Sequence, residues 1–153
     1  MAPKLASADT VERTALLDFI RPRHHVTLIT HKRDGSLQVS PVTSGLDSEG
    51  RIVIASYPER AKVANIRRDP SVTVCVHSDE WNDAYVQVDG TAEIIDLPDA
   101  VEPLVEYFRS IAGEHSDWDE YRAAMVKQGK SLIRIVIDAW GPIAAGGFPP
   151  GRV

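Results

Sequence analysis

Hydrophobic and polar positions along the first part of the chain follow two different periods, and each period predicts one kind of element. Apolar residues recur at helical spacing over residues 10–20, which predicts a helix. Residues 25–31 and 37–44 are rich in β-branched side chains and are separated by Asp34-Gly35, a strong hairpin signal. This part of the chain therefore predicts one helix followed by a β-hairpin.

The middle of the chain, residues 51–76, predicts a strand, a short helix and a second strand. Pro58 suits the first turn of this helix, because its nitrogen has no hydrogen to leave unpaired there. Arg60 and Lys62 fall in the same turn, where free backbone N–H groups and the helix dipole attract anions. The helix ends at Asp69-Pro70, since the residue before proline avoids the α region. The helix start is therefore a candidate phosphate site.

The second half of the chain predicts two more strands and two more helices. Residues 84–95 alternate between polar and apolar positions, with Gly90 as a β-bulge. Two stretches of helical spacing follow, and residues 131–139 form the last strand. The second of these helices has one face of large apolar side chains, which we expect to pack on the sheet: Trp118, Tyr121 and Met125.

The predicted order of elements is typical of a mainly β, α+β fold. Six strands joined by short connections imply antiparallel pairing, and such a sheet closes best as a barrel with helices over its ends. The sequence has no internal repeat and no sign of a second domain, so residues 1–153 predict a single domain. Residues 1–9 and 140–153 are expected to be irregular tails.

Composition narrows the possible classes of function. The chain has 153 residues, of which 43% are hydrophobic and 25% charged, enough for one globular core. Its net charge of −5 argues against a nucleic-acid-binding protein, which needs a broad basic face. The single cysteine, Cys75, excludes a disulfide framework, and no apolar run suits a signal peptide or a membrane span. We therefore expect a cytoplasmic protein with neither a nucleic-acid nor a membrane partner.

The sequence contains none of the common motifs of catalytic or metal-binding residues. The sequence has no glycine-rich nucleotide loop, nucleophile elbow, cysteine pair or zinc-binding helix motif. The five histidines are scattered, and the adjacent His24 and His25 would point to opposite faces of a strand, so no metal site is expected. A phosphate site without an obvious catalytic residue is typical of a protein whose bound cofactor carries the reaction.

Two segments of the chain resemble a known family. The run 56–62, SYPERAK, followed by 65–70, NIRRDP, resembles the pyridoxamine 5′-phosphate oxidase-like split β-barrel superfamily. The run 111–122 through His115 and Trp118 is similar to its actinobacterial branch that uses the deazaflavin coenzyme F420. The resemblance implies an antiparallel split β-barrel and a homodimer with cofactor sites at the subunit interface. It also implies an oxidoreductase, in which reduced F420 delivers hydride to a conjugated or unsaturated small organic substrate.

The same resemblance implies the residues of the site, although it names no catalytic residue. The phosphate would be held by Arg60, Ala61 and Lys62. The ring system and its ribityl-type chain would be lined by residues of two strands: Gln38, Ser40, Ile54, Ala55 and Ser56. The pocket would be closed from the partner subunit by two aromatic residues, Trp81 and Tyr85. Pro41 departs from the asparagine expected in close relatives, and this difference bears on the substrate pocket.

Several alternatives stay open on the residues alone. Gln38 and Ser40 also fit ordinary outward-facing strand positions, and Trp81 could pack over the barrel edge. The Arg-x-Lys turn is shared with FMN relatives, so an FMN-dependent oxidase-like enzyme is one alternative and a non-catalytic F420 carrier is another. A haem-binding barrel would need His31 or His77 as an axial ligand.

Four further cations favour F420 over FMN. Arg67 and Arg68 follow Lys62 by one to two helical turns, and Lys32 and Arg33 lie on the hairpin turn. Coenzyme F420 carries a lactyl-oligoglutamate tail beyond its phosphate, so cations that are in excess for FMN could meet that tail. We therefore predict tighter binding of F420 than of FMN, with a preference that shrinks as salt rises.

Overall fold

The computed structural model of the chain describes residues 3–152. Within them the elements follow in the order β1 (Ser7–Asp9), α1 (Arg13–Ile20), β2 (His25–His31), β3 (Leu37–Thr43), β4 (Gly45–Leu46), β5 (Ile52–Ser56), α2 (Ala61–Arg68), β6 (Ser71–Val76), β7 (Val86–Ile95), α3 (Val101–Ala112), α4 (Trp118–Gln128), β8 (Ser131–Trp140) and β9 (Ile143–Ala145). The four helices and the principal strands expected from the sequence are all present.

Seven of the strands form one antiparallel sheet in the order β3-β2-β6-β7-β8-β5-β4. β3 and β4 lie at its opposite edges, although only Ser44 separates them along the chain. A flat sheet of this size would place its edge strands roughly 29 Å apart, and one residue cannot span that distance. The sheet therefore curls until its edges meet, which confirms the predicted split barrel; the short β4 is additional to the six predicted strands.

The inner face of the barrel holds the main hydrophobic core. Alternate residues of the strands fill it, among them Leu28, Ile54 and Ile133, which are completely buried. Two helices add apolar side chains to this core, α1 through Leu16 and Ile20 and α2 through Val63 and Ile66. Burial of Val63 and Ile66 holds α2 against the barrel, so the start of α2 is positioned by the core itself.

A second apolar cluster lies on the outer face of β5 and β8, beneath α3 and α4. Tyr121 and Met125 of α4 pack there with Val53 of β5 and Leu132 of β8. The Tyr121 hydroxyl donates a hydrogen bond of 2.9 Å to the Leu104 carbonyl of α3. The predicted packing of this helix face on the sheet is confirmed. No helix within residues 3–152 is long and apolar enough to cross a membrane.

The two segments expected to be irregular tails, 1–9 and 140–153, each contain a short strand, while residues 1, 2 and 153 lie outside the described residues. β1 and β9 pair with each other as a separate two-stranded antiparallel sheet, in the register Ser7↔Ala145 to Asp9↔Ile143. Because the two strands are only three residues long and far apart in sequence, neither shows a recognisable alternation by itself. α1 begins at Arg13 and not at residue 10 as the sequence predicted, because residues 7–9 belong to β1 and residues 10–12 connect the two elements.

The predicted bulge in β7 is confirmed. The register between β7 and β8 shifts between Asp89 and Gly90. A Cβ atom on Gly90 would lie 2.5 Å from both the Cγ2 atom of Ile135 and the carbonyl oxygen of Val136. The bulge thus brings the two backbones too close for any side chain at this position.

We expect Gly90→Ala to lower the free energy of unfolding by about 1–3 kcal/mol, because the added methyl group must displace the β8 backbone. Urea denaturation followed by circular dichroism measures this change. Gly141→Ala is the matched control: a Cβ atom there has no neighbour within 4 Å among the described residues, so stability should stay the same or rise slightly. Equal loss of stability in both variants would contradict the steric interpretation.

Candidate functional site

The start of α2 is an open helix terminus. β5 ends at Ser56, a turn closed by a 3.1 Å hydrogen bond from the Arg60 N–H to the Tyr57 carbonyl follows, and the helix begins at Ala61. Pro58 and Glu59 therefore precede the helix instead of forming its first turn, as the sequence had suggested. The N-cap residue is Arg60, whose side chain makes no capping hydrogen bond. The first N–H groups of α2 are left available for an anion.

Arg60 and Lys62 bring two positive charges to this terminus. Partial burial is the main cause that lowers the pKa of Lys62, and the nearby charge of Arg60 lowers it further. Within residues 3–152 neither cation forms an ion pair with an acid. By contrast, six arginines of the same range do so: Arg21, Arg51, Arg67, Arg109, Arg122 and Arg134. Two like charges held together without an acidic partner form a site with affinity for an anion.

A third cation, Lys130, lies beside this pair and was missed by the sequence analysis. Its Nζ atom lies 4.5 Å from the centre of the Tyr57 ring, and the Cζ atom of Arg60 lies 5.7 Å from the same centre. Lys130 is brought here by the pairing of β5 with β8, in which Ser56 is opposite Ser131. No local motif surrounds Lys130, so only the strand register could have revealed it.

Gln38 is tied to α2 through a chain of hydrogen bonds. The Thr30 hydroxyl donates to the Gln38 side-chain oxygen at 3.1 Å, and the Asn65 amide donates to the Thr30 hydroxyl at 3.0 Å. Asn65 lies about one helical turn after Lys62. Gln38 and Ser40 alternate with the exposed residues of β3 and turn toward the barrel interior. The alternative that they are ordinary outward-facing positions is therefore wrong.

Two hydroxyls of the expected site are buried without a hydrogen-bond partner among the described residues. These are the Oγ atoms of Ser40 on β3 and Ser56 on β5, and Ser56 is only 4% exposed. An unsatisfied buried hydroxyl costs about 1–3 kcal/mol, so it calls for a partner such as a ligand. Ser44 has a third such hydroxyl, on the connection between β3 and β4. The orphaned groups on β3 and β5 fit a ligand rich in oxygen atoms.

Ile54 and Ala55 have a more limited role than expected. The Ile54 side chain is completely buried in the barrel core, and Ala55 packs against the cluster beneath α3 and α4. Their side chains serve the two cores on opposite faces of β5. Only their backbone is left to contact a cofactor, because strand alternation directs both side chains into packed apolar surroundings.

Trp81 and Tyr85 line a different part of the molecule, a groove of about 840 Å³ on the outer face of the sheet. The groove is formed by residues of β2, β3 and β6 and by the loop from His77 to Tyr85. Trp81 is 95% exposed, so it does not pack over the barrel edge within the chain. None of the other expected site residues lines this groove. Within one chain the structure therefore does not bring the two aromatic residues together with Arg60 and Lys62.

Cys75 and His77 in this groove are held in unreactive arrangements. His77 Nε2 lies 2.8 Å from the Thr27 hydroxyl, and its Nδ1 lies 3.9 Å from the Cys75 sulfur. Burial raises the pKa of Cys75, which keeps it as a thiol instead of the nucleophilic thiolate. Both ring nitrogens of His77 face protein groups, so the structure gives no support to its role as a haem ligand.

Two of the four extra cations expected to favour F420 are bound by other groups of the protein. Arg67 forms an ion pair of 2.7 Å with Asp96. Arg68 donates to the His31 carbonyl at 2.8 Å and to the Asn65 side-chain oxygen at 2.9 Å. Arg67 is therefore neutralised by an acid and is not a spare positive charge. Arg68 is held by neutral oxygen atoms and, like Lys32 and Arg33, forms no ion pair within residues 3–152. The side chains of Arg67 and Arg68 hold α2 to its neighbours.

The chain matches the family model for pyridoxamine 5′-phosphate oxidase over residues 13–144. The chain belongs to this family. The matched range contains the whole seven-stranded sheet and all four helices, together with both the α2 terminus and the outer groove.

Solved structures share this fold at low sequence identity. A conserved hypothetical protein from Mycobacterium tuberculosis superposes with a TM-score of 0.74 at 22% identity, covering 92% of this chain and 89% of that one. An F420 reductase superposes with a TM-score of 0.60 at 20% identity, covering 80% and 93%. A FAD-binding protein from Mesorhizobium loti superposes with a TM-score of 0.63 at 19% identity, covering 92% and 98%. At these identities the likeness establishes the fold.

The α2 terminus fits the phosphate end of a flavin-type cofactor. Two cations without an acidic partner, an uncapped helix start and the orphaned hydroxyls of Ser40 and Ser56 supply donors for several oxygen atoms. Ser40 and Ser56 lie on β3 and β5, which approach each other, and β5 leads directly into the turn before α2. The two cations and the first N–H groups of α2 can only donate, and the two serine hydroxyls can donate as well, which suits a phosphorylated ligand.

The lowered pKa of Lys62 predicts how anion binding depends on pH. Lys62 loses its proton below the ordinary lysine value of 10.5, and only its charged form attracts an anion. Binding of a phosphorylated cofactor should therefore weaken as pH rises through the lowered pKa. Lys62→Arg should keep its charge and remove this loss, as fluorescence titrations between neutral and alkaline pH can measure. The prediction fails if wild-type protein and Lys62→Arg lose affinity in parallel.

Proposed function

We propose that this protein is an F420-dependent oxidoreductase that transfers hydride to a conjugated or unsaturated small organic substrate. The observation that carries the proposal is the uncapped start of α2, where Arg60 and Lys62 lie without acidic partners. Membership of the pyridoxamine 5′-phosphate oxidase family supports redox chemistry with a bound phosphorylated cofactor. The F420 reductase of the same fold supports the deazaflavin in particular.

The residues of the chain would act by binding and orienting. Arg60, Ala61 and Lys62 would hold the phosphate through two side-chain charges and the first N–H groups of α2. The Ser40 and Ser56 hydroxyls would gain the partners that they lack in the protein alone. When bound, reduced F420 supplies a hydride, so the protein needs no nucleophile of its own. Its contribution is proximity and a site partly shielded from water.

A homodimer would complete this site. Leu37 and Val39 on the outer face of β3 are 52% and 56% exposed, and Trp81 is almost fully exposed beside the same sheet face. A second copy of the chain would cover these apolar groups. Trp81 and Tyr85 are remote from the α2 terminus within one chain, which supports their proposed role in closing the site of the partner.

FMN is the main rival cofactor, because the family is that of pyridoxamine 5′-phosphate oxidase and a FAD-binding protein shares the fold. A non-catalytic F420 carrier is the rival function. Spectra of the purified protein titrated with F420 and FMN distinguish the cofactors. Turnover of a panel of unsaturated substrates with reduced F420 then distinguishes an enzyme from a carrier, since a carrier binds without oxidising the cofactor.

Lys62→Ala is expected to weaken cofactor binding by about 1.5–3 kcal/mol, the range for a hydrogen bond to a charged group. Arg60→Ala should have a similar effect. Arg67→Ala is the control on the same helix, because its guanidinium is paired with Asp96 and its loss should change binding much less. Fluorescence titration measures the three dissociation constants, and thermal unfolding should show little change for Lys62→Ala. An unchanged dissociation constant for Lys62→Ala would refute the phosphate site.

The proposed dimer predicts a solution mass of about twice the 16.8 kDa of one chain. Sedimentation equilibrium at micromolar concentration measures this mass. Trp81→Ala should weaken cofactor binding without loss of the α2 phosphate site, because the aromatic ring would contact the cofactor of the partner. A monomer that binds cofactor tightly would contradict the shared site.

A further inference from the structure

We propose that Lys130 binds a second anionic group of the cofactor, beyond the phosphate held by Arg60 and Lys62. Lys130 would thereby favour a cofactor with an anionic extension over a mononucleotide such as FMN. This inference rests on the proposed function of the α2 terminus and assigns to Lys130 the selection of the cofactor. The extension could be a chain of carboxylates, as in F420, or the second phosphate of a dinucleotide, as in FAD.

The position of Lys130 is set by the backbone. α4 ends at Gln128, its C-cap residue Gly129 adopts the left-handed conformation, and the Lys130 N–H donates to the Met125 carbonyl at 3.2 Å. β8 begins at the next residue, Ser131, opposite Ser56 of β5. Antiparallel pairing therefore places Lys130 opposite Tyr57, the first residue of the turn that leads into α2. A helix end and a strand start together hold Lys130 at the site.

The side chain of Lys130 is directed by Tyr57. Its Nζ atom lies 4.5 Å from the centre of the aromatic ring, within the range of a cation–π contact. Arg60 approaches the same ring, with its Cζ atom 5.7 Å from the centre. Tyr57 thus gathers two cations around one ring, and Arg60 in turn perturbs Lys62. Lys130 is thus linked to the start of α2 through Tyr57 and Arg60.

Lys130, Arg60 and Lys62 together carry more positive charge than the roughly two negative charges of one phosphate group. Within residues 3–152 none of the three cations forms an ion pair. The carboxylate at this strand end, Asp96, is already bound by Arg67 at 2.7 Å and by the Ser131 hydroxyl at 2.8 Å. These hydrogen bonds hold the pKa of Asp96 below its ordinary value. No acid of the described chain therefore neutralises Lys130, and a second anionic group of the ligand would do so.

Lys130 differs from the cations at the end of α2 in its contacts. Arg67 and Arg68 were expected to meet the acidic tail of F420, but their guanidinium groups are bound to protein groups. The Lys130 side chain contacts the Tyr57 ring and forms no hydrogen bond or ion pair within residues 3–152. Lys130 would then contribute to an electrostatic preference for an anionic extension.

The test compares Lys130→Ala with wild-type protein in fluorescence titrations of F420, FAD and FMN. Lys130→Ala should weaken binding of the cofactor that carries the anionic extension by roughly five- to tenfold, and should change FMN binding less than twofold. Lys130→Arg should bind like the wild type. The effect should shrink at high salt, because this partly exposed charge is screened. A loss confined to F420 assigns the extension to carboxylates, and a loss confined to FAD assigns it to a second phosphate.

Lys127→Ala is the matched control, since Lys127 is an exposed lysine of α4 with no contact to Tyr57. Equal weakening of FMN and the extended cofactors by Lys130→Ala would place Lys130 in the phosphate site and overturn the inference. Unchanged binding of all three would leave Lys130 a packing partner of Tyr57 and would also overturn it. Lys62→Ala distinguishes failure of the Lys130 inference from failure of the proposed function. If Lys62→Ala also leaves cofactor binding unchanged, the proposed phosphate site at the start of α2 is wrong.

Discussion

The single residue that connects β3 to β4 is the constraint on which the rest of the structure depends. Because Ser44 alone links the two edges of the sheet, the sheet has to curl, and its edges meet at a seam instead of pairing continuously. The edge strand β3 then approaches β5 across this seam. The Ser40 and Ser56 hydroxyls on these two strands are buried without a hydrogen-bond partner among the described residues.

α2 connects the stability of the barrel to its proposed function. Val63 and Ile66 pack in the core, while Asn65 joins the Thr30–Gln38 hydrogen bonds on the adjacent strands. Arg67 and Arg68 at the end of the helix are bound by protein groups, and the cations at its start are not. The charges at the end serve the fold, and those at the start are available to a ligand. Such a division places a rigid, preorganised set of donors where an anion can use it.

The local signals in the sequence were sufficient for most elements. The hairpin at Asp34-Gly35, the bulge at Gly90 and the end of α2 before Pro70 were predicted correctly, because each depends on the conformational preference of one or two residues. Pairings between distant segments were not predictable in this way. The β1–β9 sheet was expected to be irregular tail, since three-residue strands carry too little periodicity and their partners lie at opposite ends of the chain.

The candidate site shows the same division between local and distant information. Arg60 and Lys62 could be read from the sequence because they are two residues apart, beside a helix start. Tertiary structure decided the other features of the site. Gln38 and Ser40 face the barrel interior, Arg67 pairs with Asp96, and Lys130 contacts Tyr57. The sequence by itself determined which residues could form strands, turns and an anion-binding helix start. Only the curled sheet and its register determined which charges stay unpaired, because pairing depends on distances between segments that are remote along the chain.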